Sequence, residues 1–183
     1  RSSDLAGFAE NGALKSQTVS RAEGTSFARF GHNMAPVRHE APFGATSPIF
    51  SYPYVRSREA LATLARHAVP DAHRGTLLRY ANPTTGGHPI PTIAAWLQLV
   101  QAGQATRPWR CTAGSVYSVV EGRARITLEG GAGSARYEVG PRDHFVQPPW
   151  HTMTIDATDD CVLFGYSDAP LQEAAGLLRE ESL

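Results

Sequence analysis

The sequence predicts an all-β domain, an antiparallel sandwich or barrel, with an N-terminal arm and flanking helices. Three observations predict it. Between Ile90 and Ser167, short apolar runs follow one another ("TIAAWLQLV", "VYSVVEG", "RARITLEGG", "ARYEVGP", "DHFVQPP", "HTMTIDA", "CVLFGYS"), bounded by glycine and proline. In "GRARITLEG", Ala124, Ile126 and Leu128 alternate with Arg123, Arg125 and Thr127, the period of a strand buried on one face and wet on the other. The runs recur at regular spacing, which favours antiparallel pairing over βαβ units.

Size and charge narrow the function classes. A chain of 183 residues holds one domain of ordinary size with an extra segment. Seventeen Lys and Arg balance seventeen Asp and Glu, leaving no long-range field to draw nucleic acid or an anionic membrane. The longest apolar runs fall far short of the roughly 20 residues of a transmembrane helix. Cys111 and Cys161 form no C-x-x-C pair, which fits a reduced, cytoplasmic protein. The chain begins "RSSDLAGFAENG", with no initiator Met and no basic-then-apolar leader, and is expected to be a fragment.

In chain order, residues 1–46 are polar, rich in Ala, Gly and Ser and without sustained periodicity, and read as a connector or arm. Residues 47–70 form an extended, aromatic segment ("SPIFSYPYVRS") and then a helix that packs on the barrel. Ser57 is placed to cap that helix, and Leu61, Leu64, Ala65 and Ala68 make one apolar stripe. Residues 71–183 are expected to form the barrel and a C-terminal helix. "ANPTTGGHP" reads as a turn-rich loop and not as a phosphate loop. In the last helix Asp168 caps, Pro170 sits in the first turn, and Leu171, Ala174, Ala175 and Leu178 form the stripe.

The stretch "PWRCTAGSVYSVVEGRARITLEGG" (108–131) resembles the first metal-binding motif of a cupin, the jelly-roll barrel also called a double-stranded β-helix. That motif is His-x-His, then Glu, closing at a glycine after V-x-E. Counting back from Gly122 places Trp109 and Cys111 at the two histidine positions and Ser115 at the glutamate position. The second motif runs Gly, Asp, Pro, a turn and a third His. In "GPRDHFVQPPWHTM", Asp143, Pro148 and Pro149 set the register and place Met153 at that histidine. Indole does not ligate, hydroxyl and thioether bind hard divalent iron weakly, and a lone Cys cannot build a facial triad. The barrel is therefore expected to carry no metal and no cofactor.

From Ser47 to Glu181, the pieces "SPIFSYPYVRSREAL", "NPTTGGHPIPTIAAWLQLV", "VYSVVEGRARITL", "GPRDHFVQPPWH" and "VLFGYSDAPLQEA" resemble the second cupin of the gentisate 1,2-dioxygenases. "FARFGHNMAPV" (27–37) is similar to the connector that follows the first cupin there. The resemblance implies a bicupin parent, a homo-oligomer, whose N-terminal cupin holds Fe(II) through three histidines. That iron adds both atoms of O2 to gentisate, giving maleylpyruvate. It also implies a structural and oligomer-forming role for the second barrel, which retains packing and turns while its ligands drift. Salicylate and 1-hydroxy-2-naphthoate dioxygenases share the architecture, so the small aromatic acid is left open.

Other readings of the residues stay beside this one. His151 and Cys111 are the remaining ligand candidates for a nonstandard metal, although His151 lies on the turn two residues before the third-histidine position. His144, next to Asp143, reads as a strand residue on the wet face. His32, His39, His67, His73 and His88 show no ligand spacing. Cys111 reads as a small buried hydrophobe in the absence of a committed basic neighbour, and Cys161 as core. Trp109, Tyr117 and Met153 line a residual cavity for a small planar ligand, as in a free-standing cupin that binds a small aromatic, or else Trp109 and Met153 plug the barrel; dense interiors favour the plug. "SPIFSYPY" is the candidate for a contact with another domain or subunit.

Overall fold

The computed structural model describes residues 24–31, 46–49, 51–131 and 133–183, with the single positions 22 and 37. Most of the expected arm, His32 and His39 included, lies outside the described residues.

Strands dominate. They are β1 (Thr76–Arg79), β2 (Ala94–Val100), β3 (Trp109–Cys111), β4 (Ser115–Glu121), β5 (Ala124–Gly130), β6 (Gly133–Val139), β7 (His144–Gln147), β8 (Thr152–Ala157), β9 (Cys161–Ser167) and β10 (Glu180–Ser182). They build two five-stranded sheets, ordered β1-β2-β9-β4-β7 and β10-β3-β8-β5-β6, and the pairs are antiparallel. The long-range β2–β9 and β5–β8 pairings interleave distant segments into two facing sheets, the arrangement of a jelly roll.

Alternation decides which side chains meet between the sheets. One inward row of the first sheet is Trp96, Gly165, Tyr117 and Phe145, and the next is Ala94, Ser167, Ser115 and Gln147. The facing sheet sets Trp109 opposite Met153 and Met153 opposite Leu128. Trp96, Tyr117, Val119, Phe145, Leu163, Ile126, Met153 and Ile155 belong to one buried apolar cluster, and area removed from water on this scale is the main term holding the sheets together. Gly165 is a packing requirement, because a Cβ there would run into the Trp96 indole.

The outer face of the first sheet is covered by α2 (Tyr54–His67). Leu61 is fully buried with Leu97, Leu99 and Val162, and Tyr54, Ala65 and Phe164 pack around them. The helix begins four residues earlier than the Ser57 cap predicts. Pro53 occupies the N-cap position, and Ser57 lies inside the helix with its hydroxyl donating back to the Pro53 carbonyl. Proline needs no N–H partner at a helix start and fixes the entry angle, so it displaces the later serine. Ala68 falls past the last turn in extended backbone and contributes no stripe position. A clamp ties this helix to β4. The Tyr54 hydroxyl donates to Glu121 Oε1, and Arg58 Nε donates to Glu121 Oε2 at 2.9 Å.

Two end regions differ from expectation. A short helix, α1 (Thr25–Phe30), lies within the segment read as an unpatterned arm, with Phe30 buried and the Gly31 carbonyl accepting from Arg56. At the other end, α3 spans only Ala169–Ala174. Leu171 is exposed, and the Asp168 carboxylate accepts from Gln172 instead of capping a backbone N–H. The chain then turns through Gly176 at φ 70 and closes as β10 on β3, with Leu178 packed against the Trp109 cluster. The expected four-residue stripe is therefore broken by a turn and a strand. Strands β1 and β10 are short and lack a full alternation period, so the sequence pattern signals neither.

Candidate functional site

The four positions that the sequence register sets at the cupin ligand places are all buried in the barrel. Trp109 and Cys111 lie on β3, Ser115 opens β4 and Met153 lies on β8; they are 6%, 4%, 3% and 4% exposed. Strand alternation directs them inward. Trp109 and Met153 are cross-strand partners, and Ser115 is flanked by Ser167 and Gln147.

Trp109, Cys111 and Ala113 form a small apolar cluster under Ala169 and Leu178. The Arg74 guanidinium covers the Trp109 ring, 4.8 Å from its centroid, and lies 3.9 Å from Glu180. Cys111 Sγ accepts from the Ala113 N–H at 3.3 Å and faces Glu180 Oε1 at 3.9 Å. Burial pushes the Cys111 thiol up, with the Glu180 charge adding to it, so the sulfur is held protonated. Below this layer, Trp96 stands edge-on to Tyr117 and Tyr117 stacks on Phe145 at 4.9 Å. Burial lifts the Tyr117 phenol to about 12.

This donor set does not fit divalent iron. It offers an indole, a protonated thiol, one hydroxyl and a thioether where the metal would need deprotonated or imidazole ligands. Among the described residues no group of three or more His, Cys, Asp and Glu is arranged to hold a metal ion. Each member of the alternative pair is engaged by local partners. Cys111 is engaged by Ala113 and Glu180, whereas His151 Nδ1 pairs with the Pro149 carbonyl at 3.1 Å and its ring rests over Gly130.

The other histidines are accounted for locally. His144 is exposed at the start of β7. His73 Nδ1 pairs with the Pro108 carbonyl at 2.9 Å, and His67 closes the last turn of α2. Burial lowers the pKa of His88. In the "NPTTGG" loop, Asn82 Oδ1 accepts from the N–H and hydroxyl of Thr84, a turn built on its own side chain.

The frame around these positions is a set of tight turns. Gly122, which closes the first motif, has φ 73, and a Cβ there would collide with the Asp160 carbonyl oxygen. In the second motif Trp150 takes φ 61, costly for a bulky residue; its N–H donates to the Cys111 carbonyl at 2.6 Å and Arg110 stacks on its ring at 4.5 Å.

Three residues of the site, Gln147, Arg74 and Glu180, escape the sequence patterns. Gln147 carries a usable signal, because it shares the parity of Phe145 in "DHFVQ". It is 1% exposed, and its Nε2 donates to the carbonyls of His151 at 2.9 Å and Trp109 at 3.5 Å. Arg74 and Glu180 reach Trp109 and Cys111 only through tertiary placement.

A second concave feature is a cleft of about 530 Å³ lined by Pro48, Ile49, Tyr52, Tyr80, Ile90 and Phe164 among others. Tyr52 is fixed there by Ser47 and the Ala81 carbonyl, each at 2.8 Å. Ser47, Pro48, Ile49, Ser51 and Tyr52 of the "SPIFSYPY" segment thus line an aromatic groove.

No family model matches the chain. Gentisate 1,2-dioxygenase 1 of Aquipseudomonas alcaligenes is 38% identical over 173 residues, 94% of this chain and 48% of that protein. A gentisate 1,2-dioxygenase of a Streptomyces species is 31% identical over 183 residues, 95% of this chain and 49% of its own length. The crystal structure of a salicylate 1,2-dioxygenase from Pseudaminobacter salicylatoxidans superposes with a TM-score of 0.75 at 26% identity, covering 86% of this chain and 46% of that one. The barrel has the cupin fold of these dioxygenases, and the chain, spanning about half the length of the relatives it matches, is similar to one half of the gentisate 1,2-dioxygenases.

Proposed function

We propose that the chain is the C-terminal, structural cupin of a bicupin dioxygenase that cleaves the ring of a small aromatic acid, gentisate with O2 going to maleylpyruvate. In this reading residues 1–46 connect to an N-terminal cupin, residues 47–70 pack on the barrel and residues 71–183 form it. The Fe(II) belongs to the N-terminal cupin, and the enzyme is a cytoplasmic homo-oligomer. Among the described residues no helix is long and apolar enough to cross a membrane.

One observation carries the reading. Every position that would hold a ligand in a cupin metal site points into the barrel and bears Trp109, Cys111, Ser115 or Met153. The backbone frame is retained while the inner surface is refilled with groups that pack. The groove along Ser47–Tyr52 is the surface best suited to meet another domain or subunit.

The test is metal content and turnover of the purified chain. After incubation with Fe(II) and desalting, elemental analysis should find no stoichiometric iron, and added gentisate should not be ring-opened. A full-length relative should bind iron and open the ring. Near-stoichiometric iron in this chain, or ring cleavage by it, would overturn the reading.

A further inference from the structure

We propose that the barrel interior around Gln147 and Ser115 is an internal hydration site, in which an ordered water donates to Gln147 Oε1 and is shared with the Ser115 hydroxyl. The proposal rests on the reading of this barrel as metal-free.

Among the described residues, Gln147 Oε1 is a buried acceptor with no hydrogen-bond partner. Its orientation is fixed by chemistry, because the two groups on the other side of the amide are the His151 and Trp109 carbonyls, which accept and require the NH2 there. Flipping the amide would set oxygen against oxygen. The other unpartnered buried atoms are easier to account for. Those of His88 and Asp168 belong to side chains that are only half-buried, and the Trp96 indole lies against the Tyr117 ring. Gln147, by contrast, is an inward-facing acceptor at 1% exposure, beyond the reach of bulk water.

The residues around it supply polarity, and the Ser115 hydroxyl also faces the Tyr117 phenol. Ser115 is its cross-strand partner, and serine is much shorter than the glutamate of the cupin motif at that position. Ser167 and Ala94 continue the same row. The next row is filled by Trp96, Tyr117 and Phe145, and the facing sheet by Trp109 and Met153, so the small side chains of one row are walled by large ones. A buried acceptor left without a donor costs on the order of 1–3 kcal/mol, and native interiors meet such groups with water where two or more polar partners converge. Water is the smallest guest that donates to Oε1 and still exchanges a hydrogen bond with a hydroxyl. A metal ion is disfavoured by the neutral amide and hydroxyl that would have to hold it, and an anion by the carbonyl oxygens.

The test is a crystal structure of the purified chain at about 1.5 Å or better, with data also collected at the iron edge. A water peak within hydrogen-bond reach of Gln147 Oε1 and Ser115 Oγ is expected, with no anomalous signal. A well-ordered Gln147 with no peak beside it overturns this proposal and leaves the metal-free reading standing. An anomalous peak there overturns both. In solution, Ser115→Val places a branched apolar side chain in the same space. Expulsion of a bound water should lower the thermal midpoint by about 3 °C or more, whereas a raised midpoint would mean that a dry void was filled. If that variant does not fold, nuclear Overhauser transfer from water to the Gln147 amide protons in the wild type decides in its place, and no transfer counts against the site.

Discussion

The turns that frame the motif and the row of side chains they frame are under different physical constraints in this barrel. At Gly122, only glycine meets both a left-handed backbone and the nearby Asp160 carbonyl, so the backbone geometry leaves no substitute. Seven to thirteen residues away, Ser115, Cys111 and Trp109 occupy positions that demand only a volume and low polarity. A frame is over-determined by chain geometry, whereas an interior surface accepts any set of groups that packs without voids. This explains how a barrel can keep the layout of a metal site and lose its chemistry.

The comparison breaks most sharply at Trp109. If the ring is part of the packed interior, Trp109→Ala should cost roughly 3–5 kcal/mol in denaturant titration, and gentisate should make no difference to either protein. A loss below about 1 kcal/mol would mean that the site is wet and ligand-accessible, and the register of the first motif would need revision. Gly122→Ala comes next, at about 2–4 kcal/mol, since it adds left-handed strain to a backbone collision. A near-neutral result would show that the turn is not a constraint.

The clamp outside the barrel tests whether the helix is held by the same frame. Burial tends to raise the Glu121 carboxyl, but the hydrogen bonds from Tyr54 and Arg58 outweigh it and bring the pKa below its ordinary value. A carboxylate depressed in the folded state stabilises above its unfolded pKa, and that contribution is lost as pH falls through the folded value. Glu121→Gln should therefore cost about 1 kcal/mol at pH 7, allowing for a carboxylate that is 38% exposed. The gap between wild type and variant should close below about pH 4. A gap that does not change with pH would place the effect in packing. The smallest effect is expected at Trp150→Gly, which relieves the positive φ and loses the Arg110 stack, leaving stability within about 1 kcal/mol of wild type.

Period 2 makes the interior of the barrel legible in the sequence. Ala124, Ile126 and Leu128 are buried as their alternation requires, and the motif register selects Trp109 and Met153, which the strands pair directly. Local signals fail where a stronger neighbour intervenes. Pro53 sets the helix start ahead of Ser57, and the turn at Gly176 cuts the last helix short so that β10 closes on β3. Gln147 is easily passed over because a polar residue in a strand reads as solvent-facing by default, although its parity with Phe145 points inward. Arg74 and Glu180 are invisible to spacing, since they meet Trp109 and Cys111 across 35 and 69 positions of sequence respectively.

The central claim is that four inward positions are a cupin ligand set in which every ligand has been replaced. It is tested most directly by restoring them together, as Trp109→His, Cys111→His, Ser115→Glu and Met153→His, and comparing metal content with the wild type by elemental analysis after Fe(II) or Zn(II) loading, with circular dichroism to verify folding. The account predicts stoichiometric divalent-ion binding by the folded restored variant and none by the wild type. A folded restored variant that binds no metal, or a wild type that binds it stoichiometrically, would contradict the account.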